Sequence, residues 1–388
     1  MKIKKKTKDK LKRVAKFFYW IVLFICVFII LGTLLHSIPL WSDIASIIFI
    51  PAYPYILILC VLLTAASIIF FVRKKSTKRL ITLAVSSLTL LGIITGSIFM
   101  IARVNSRGEN ISFFKAFSLN AFFDVEEENT YYTDENGEKI GLSVFYVDDG
   151  NENKPVIFYT HGGGWVKGDR YDRLDTTKTF AENGYVVVSA DYDLSDDYNH
   201  LYDSTENQLL NAVSWTEKNI SKYGGNIGRF YMVGDSAGGN LALNLAYKIN
   251  SGVYASYPNV DAVSVIYPVT SIRDFYESSN FLTASESRNM AVSYMGSIPK
   301  KEAGRYEEHN PANYIDSATP PTLVVHGTSD ASVSINSSYT FIEKLEQKGV
   351  DCELIRVPFA SHASDTSATN FMGQAYINNT LKWFDTYK

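Results

Sequence analysis

The distribution of apolar positions divides the chain near residue 102. Before it, three runs carry no charge: FFYWIVLFICVFIILGTLL at 17–35, a stretch at 45–72 densest in YILILCVLLTAASIIFFV at 55–72, and LITLAVSSLTLLGIITGSIFMIA at 80–102. A helix needs roughly 20 apolar residues to cross a bilayer, and three such runs in succession predict membrane spans rather than buried core helices. Pro51 and Pro54 leave two forms open for the second span. It is either one kinked helix from about 45, or an interfacial piece followed by a span starting near Tyr55. Trp20, Trp41, Tyr53 and Tyr55 fall where interfacial aromatics are expected.

Residues 103–128 read as a connector, and their aromatic stretch ISFFKAFSLNAFF at 111–123 has only weak periodicity. It fits either a membrane-surface segment or a short helix packed on the following domain or over its pocket. From 129 the pattern changes. TYYTDENGEKIGLSVFYV predicts two strands around a turn at Glu135-Asn136-Gly137. PVIFYTHGGG, GYVVVSADY, RFYMVG, DAVSVIYPVT, PTLVVHG and CELIRVPF follow as short strands, and helical spacing separates several of them, at 204–222, 237–250, 336–348 and the C-terminal end. Short apolar strands alternating with helices predict a doubly wound, mostly parallel α/β sheet over 129–388. Residues 271–310 interrupt the rhythm and read as a helical cap insertion.

Charge then orients the chain. Residues 1–16 hold nine Lys or Arg against one Asp, and RKKSTKR at 73–79 holds five more, whereas 36–45 has neither Lys nor Arg. The positive-inside bias puts the N-terminus and 73–79 in the cytoplasm, so three crossings leave 103–388 outside. The first span reads as an uncleaved anchor, because its apolar run is long and no A-x-A-like site follows it. With a total charge of −3, the polar part must be strongly acidic, which excludes a phosphate backbone as partner and favours neutral substrates. Three cysteines, one of them in the polar part, offer neither an internal disulfide there nor a metal-type spacing.

The candidate chemistry centres on FYMVGDSAGGNLAL, 230–243. Gly234-Asp235-Ser236-Ala237-Gly238 fits G-x-S-x-G between a strand and a helix, the context that makes the motif informative. A sharp strand-to-helix turn leaves the Ser236 hydroxyl bare above the carboxyl ends of the strands, and small neighbours avoid collision. A serine needs a base to become a nucleophile, and in this fold order the acid and then the histidine follow it. Among the downstream histidines, His362 in VPFASHASD lies on a loop after the last strand, whereas His326 closes a strand and His309 ends the cap. Asp330, four residues after a strand, is placed to orient His362 better than Asp351 or Asp365. HGGGW at 161–165 offers Gly163 and Gly164 N–H groups as oxyanion donors together with Ala237, and His161 reads as a brace for that loop.

HGGGW, GDSAGG and HGTSD in this order resemble the α/β-hydrolase superfamily, within it carboxylesterases related to hormone-sensitive lipase and acetyl esterases, over roughly 140–388. The resemblance implies ester hydrolysis of short acyl groups without a cofactor or metal. It carries Ser236 over as nucleophile, Asp330 as acid, His362 as base and Gly163, Gly164 and Ala237 as oxyanion donors. Asp193 stands where many relatives have an arginine, and FASHASD departs from the usual segment around the base. The expected partners are a small-molecule or glycan-linked ester and the bilayer. The same residues also fit an amidase or peptidase, an acyltransferase, or a non-catalytic membrane receptor built on a hydrolase shell.

Overall fold

The computed structural model of the chain describes residues 2–35, 39–106, 108–118, 125–278 and 280–388. Three long helices come first: α1 (Lys2–Leu35), α2 (Pro39–Arg73) and α3 (Thr77–Asn105). All three are long and apolar enough to cross a membrane. α2 is a single continuous helix that runs through Pro51 and Pro54. Neither proline has an N–H to donate, which leaves the carbonyls of Ile47 and Ile50 without their intrahelical partners. Polar side chains stitch the bundle: Ser86 Oγ donates to Ser67 Oγ at 3.0 Å, Trp41 Nε1 to the Phe28 carbonyl at 2.8 Å, and Ser97 Oγ to Tyr53 Oη at 2.6 Å. Tyr53, which falls where an interfacial aromatic is expected, is fully buried within the protein. Its ring packs on Phe371 of the polar domain, 4.8 Å between centroids.

That domain is built on β1 (Glu126–Thr133), β2 (Lys139–Tyr146), β3 (Lys154–Thr160), β4 (Val186–Ala190), β5 (Gly225–Asp235), β6 (Ala262–Ile266), β7 (Thr322–Gly327) and β8 (Cys352–Val357). They form one sheet in the order β1-β2-β4-β3-β5-β6-β7-β8. β1 and β2 are antiparallel additions at one edge, and the pairs from β4 to β8 are parallel. Every residue of β3 and β4 is buried, as expected for strands covered on both faces.

Because successive side chains point to opposite faces, the strands feed two cores. Val156, Phe158, Phe230 and Met232 face the core shared with α5 (Thr205–Asn219), α6 (Ser236–Asn250) and α10 (Ile335–Gln347). Ile157, Tyr159, Tyr231 and Val233 face the core shared with α4 (Leu174–Glu182) and α11 (Phe371–Thr386). The second core does not stop at the domain. It continues through Phe49, Ile50 and Tyr53 of α2 to Met100 and Val104 of α3. Each such side chain taken fully out of water contributes about 1.5–3 kcal/mol.

Between β6 and β7 lie α7 (Ile272–Tyr276), α8 (Ala284–Met295) and α9 (Ala303–Glu308), the helices of the interrupting segment. The connector packs on α11. Glu109 N donates to Asn379 Oδ1 and Ser112 N to Gln374 Oε1, both at 2.7 Å, and Asn378 Nδ2 donates to the Asn110 carbonyl at 2.8 Å. Residues 111–118 therefore take the packed alternative, while 119–123 lie outside the described residues.

Candidate active site

β5 ends at Asp235 and α6 begins at Ser236, so the chain must reverse within one residue. Ser236 takes the strain with φ of 54°, in the left-handed region that side chains avoid. The corner is tight enough to require Gly238, where a Cβ would collide with the carbonyls of Thr160 and His161 at the end of β3. The hydroxyl stands at the first turn of α6, whose leading N–H groups, that of Ala237 included, lack intrahelical acceptors.

His362 Nε2 lies 3.0 Å from Ser236 Oγ, and its Nδ1 lies 2.7 Å from Asp330 Oδ2. Asp330 thus accepts the Nδ1–H and leaves Nε2 as the acceptor of the serine proton. The carboxylate is fully buried. Its Oδ1 accepts the N–H groups of Ser332 and Val333 at 2.9 and 2.8 Å, and its Oδ2 also lies 3.3 Å from His326 Nε2. Burial alone would raise the Asp330 pKa, but the two histidines outweigh it and hold the carboxyl well below the usual range. For His362, burial disfavours the charged ring, yet the Asp330 charge and hydrogen bond prevail and raise its pKa above the ordinary imidazole value.

Three further histidines have other partners. His326 Nδ1 is bonded to Ser338 Oγ at 2.8 Å and its Nε2 to the Val333 carbonyl at 3.0 Å. His309 Nδ1 faces Glu206 Oε1 at 3.3 Å. His161 is buried and stacked on Tyr192, 4.2 Å between centroids, with Nδ1 bonded to the Gly162 carbonyl at 2.9 Å.

The glycine loop runs beside the serine. Gly163 adopts φ of 100°, and a Cβ there would collide with the Lys167 backbone, so only glycine fits. Among the described residues, the N–H groups of Gly163 and Gly164 carry no hydrogen bond to a backbone carbonyl. Both glycines, Ser236 and His362 line one cavity of about 510 Å³, completed by Met290 of α8 and, from the long helices, Ile47 of α2. Among the described residues of 111–118, none lines it.

Beside Ser236, and lining the same cavity in part, lies a charged layer that sequence reasoning missed. Arg173 reaches Asp235 and Asp365, each at 3.3 Å, and donates to Tyr267 Oη at 2.8 Å. Tyr267 in turn donates to Asp365, and Tyr159 Oη donates to Asp235 Oδ1 at 2.6 Å. Asp235 Oδ1 also accepts the Gly162 N–H at 3.1 Å, which ties the glycine loop to the corner. Asp365, weighed as a partner for His362, is thus committed to Arg173 and Tyr267. The only sequence signal for this layer was the Asp of the G-x-S-x-G motif itself; the arginine sits in a charged stretch, GDRYDR, without a pattern.

Sheet order, nucleophile-type elbow and histidine loop together define an α/β hydrolase. The chain belongs to the BD-FAE family, whose model matches residues 142–345, more than half of the chain. It is 26% identical over 225 residues to the Mycobacterium tuberculosis esterase LipQ, covering 55% of this chain and 51% of that one. It is 36% identical over 127 residues to a versiconal hemiacetal acetate esterase of Dothistroma septosporum, covering 31% of this chain and 37% of the relative. The chain therefore spans about half or less of these curated relatives. Among solved structures, carboxyl esterase 2 of the fungus Tuber melanosporum aligns with a TM-score of 0.59 at 22% identity, covering 76% of this chain and 98% of that one.

Proposed function

We propose that the chain is a membrane-anchored serine hydrolase that cleaves carboxylic esters with short, acetyl-sized acyl groups. The observation that carries this reading is the hydrogen-bonded series Ser236–His362–Asp330 opening into the glycine-lined cavity. Ser236 Oγ attacks the ester carbonyl while His362 Nε2 takes its proton. Gly163, Gly164 and Ala237 N–H groups hold the oxyanion as charge develops on it. His362 returns the proton to the departing alcohol, and water then cleaves the acyl-enzyme by the same route. Asp330 fixes the imidazole tautomer and steadies the imidazolium without taking its proton. The chemistry needs no metal or cofactor. The short-acyl preference is supported by Met290, packed directly over Gly164 and narrowing the cavity.

The chain divides into a membrane region over 1–102, a connector over 103–128 and a hydrolase domain over 129–388 with its cap at 271–310. Basic clusters at 1–16 and 73–79 support a cytoplasmic N-terminus and an extracytoplasmic hydrolase domain.

The test uses the full chain in detergent with chromogenic acetate and butyrate esters and an organophosphonate probe. Turnover, covalent labelling of Ser236, and loss of both in a folded Ser236→Ala variant are expected. Turnover that survives Ser236→Ala would overturn the assignment.

A further inference from the structure

The cavity that holds Ser236 is closed on one side by a helix long enough to cross a membrane. Ile47 of α2 lines it and is 50% exposed. The level of this residue follows from helix lengths. Twenty residues, about 30 Å at 1.5 Å each, cross the hydrocarbon layer. Counted from the basic end of α2 at Arg73, that layer ends near Pro54, so Pro39–Tyr53 stands above it. Counted from Arg79 at the start of α3, it ends near Phe99.

One contact relates the two counts, and there they differ by about 7.5 Å, since Phe49 lies five residues above Pro54. Phe359, in the loop that carries His362, touches Phe99 of α3 at 5.8 Å and Phe49 of α2 at 6.2 Å between centroids. The base-bearing loop therefore sits at the edge of the hydrocarbon layer by the α3 count and about 7.5 Å above it by the α2 count. Ile47 lies about 3 Å beyond Phe49 and about 10 Å beyond Pro54 along the helix, at the depth of lipid headgroups and the ester linkages beside them.

The cavity lining is mixed. Ile47, Phe275 and Met290 supply an apolar wall, Asp172, Arg173 and Asp235 a charged floor beside Ser236, and Lys167 and Glu286, paired at 3.3 Å, an exposed rim. Exposed apolar side chains extend the apolar side outward: Ile44 and Ile48 on α2, and Phe281, which is 86% exposed. Phe281 follows Asn280, whose amide donates to Asp43 Oδ2 of α2 at 2.9 Å, so it stands beside those isoleucines. A soluble ester has no use for such a surface, whereas an amphiphile with its apolar part still in the bilayer does.

We infer that the substrate is a membrane-resident amphiphilic ester, presented to Ser236 from the leaflet next to the hydrolase domain along α2. Ile47 is then a specificity-determining residue. The inference rests on the ester-hydrolase reading above.

The test reconstitutes the full chain into phosphatidylcholine vesicles. It compares p-nitrophenyl acetate with the acetate ester of a long-chain alcohol carried in the same vesicles. The membrane-borne ester is expected to have the higher kcat/KM, with a rate that follows its mole fraction in the vesicle. Ile47→Asp and Phe281→Ser are each expected to lower the ratio of membrane-borne to soluble kcat/KM about tenfold, the scale of a lost apolar pocket contact. Labelling of Ser236 by a soluble organophosphonate reports whether each variant is folded, and Phe281→Ser decides if Ile47→Asp is not. Hydrolysis of the soluble ester with no preference for the membrane-borne one, or a ratio unmoved in the folded variants, overturns the inference and leaves the hydrolase reading intact. Failure to hydrolyse either ester, with Ser236 unlabelled, overturns the hydrolase reading itself.

Discussion

Asp330 is buried, yet all its neighbours are donors: two backbone N–H groups and two imidazoles. That surrounding keeps it ionised through any pH at which the protein works. In the proposed mechanism His362 must be neutral to accept the serine proton, and its pKa is raised by the same carboxylate. The acid limb of kcat/KM is therefore expected to have its midpoint above the ordinary imidazole value of roughly 6.5. Asp330→Asn should move that midpoint down and cost about 10⁴-fold in kcat, the effect of losing the correct tautomer in this arrangement. A pH–rate profile of both forms, with circular dichroism to confirm folding, checks this. The same shift has a sign for stability. The His362–Asp330 pair stabilises the fold between the two titrations: the His362 part is lost as pH rises through its raised folded-state pKa, and the Asp330 part is lost as pH falls below the usual carboxylate range. The sequence order of Ser236, Asp330 and His362 made these three legible. Arg173 and Tyr267 were not, because their role depends on two aspartates that only the folded chain brings to them.

The helices of the interrupting segment are tied to the sheet by a buried charge. Glu206 of α5 accepts Lys248 Nζ of α6 at 2.7 and 2.9 Å and Tyr254 Oη at 3.0 Å, and faces His309, just past α9, at 3.3 Å. Burial would raise its pKa, but His309 and Lys248 together bring it down to about 2. Glu206→Ala leaves Lys248 buried without its partner and is expected to cost about 3–5 kcal/mol in denaturant unfolding. Because the carboxylate is depressed, its contribution is intact above the ordinary Glu range and lost as pH falls toward about 2, so the variant's deficit should shrink in acid. At this scale the strands read well, since uninterrupted apolar runs such as PVIFYT have no other use. α4 did not. Its buried face is partly Thr176 and Thr177, polar in the sequence, and the Thr177 hydroxyl is satisfied by bonding back to the carbonyls of Arg173 and Leu174. The length of α2 was open for a related reason: two prolines argue locally for a break, and packing on α1, α3 and the hydrolase domain overrides them.

The long helices and the hydrolase domain share a single apolar core, and no local pattern announces that. A chain cut to 103–388 would lose one wall of the cavity and expose Phe113, Phe359 and Phe371, the partners of Tyr53 and Phe49. It is expected to self-associate and to turn over a soluble ester more slowly than the full chain, as read by size-exclusion chromatography and initial rates. A fully active soluble monomer would show that the helices only tether. For topology, protease added to intact cells should digest the hydrolase domain and spare the 73–79 loop. The hydrogen bonds that seat the connector on α11 join residues 262 and 270 positions apart. A ribosome delivers the three long helices first and α11 after every other element named here, with the His362 loop just ahead of it. The domain is thus an unfinished sheet while the long helices are already made, and the His362 loop and the connector's seat arrive together. On the proposed function, synthesis itself withholds activity until the membrane segments are already made.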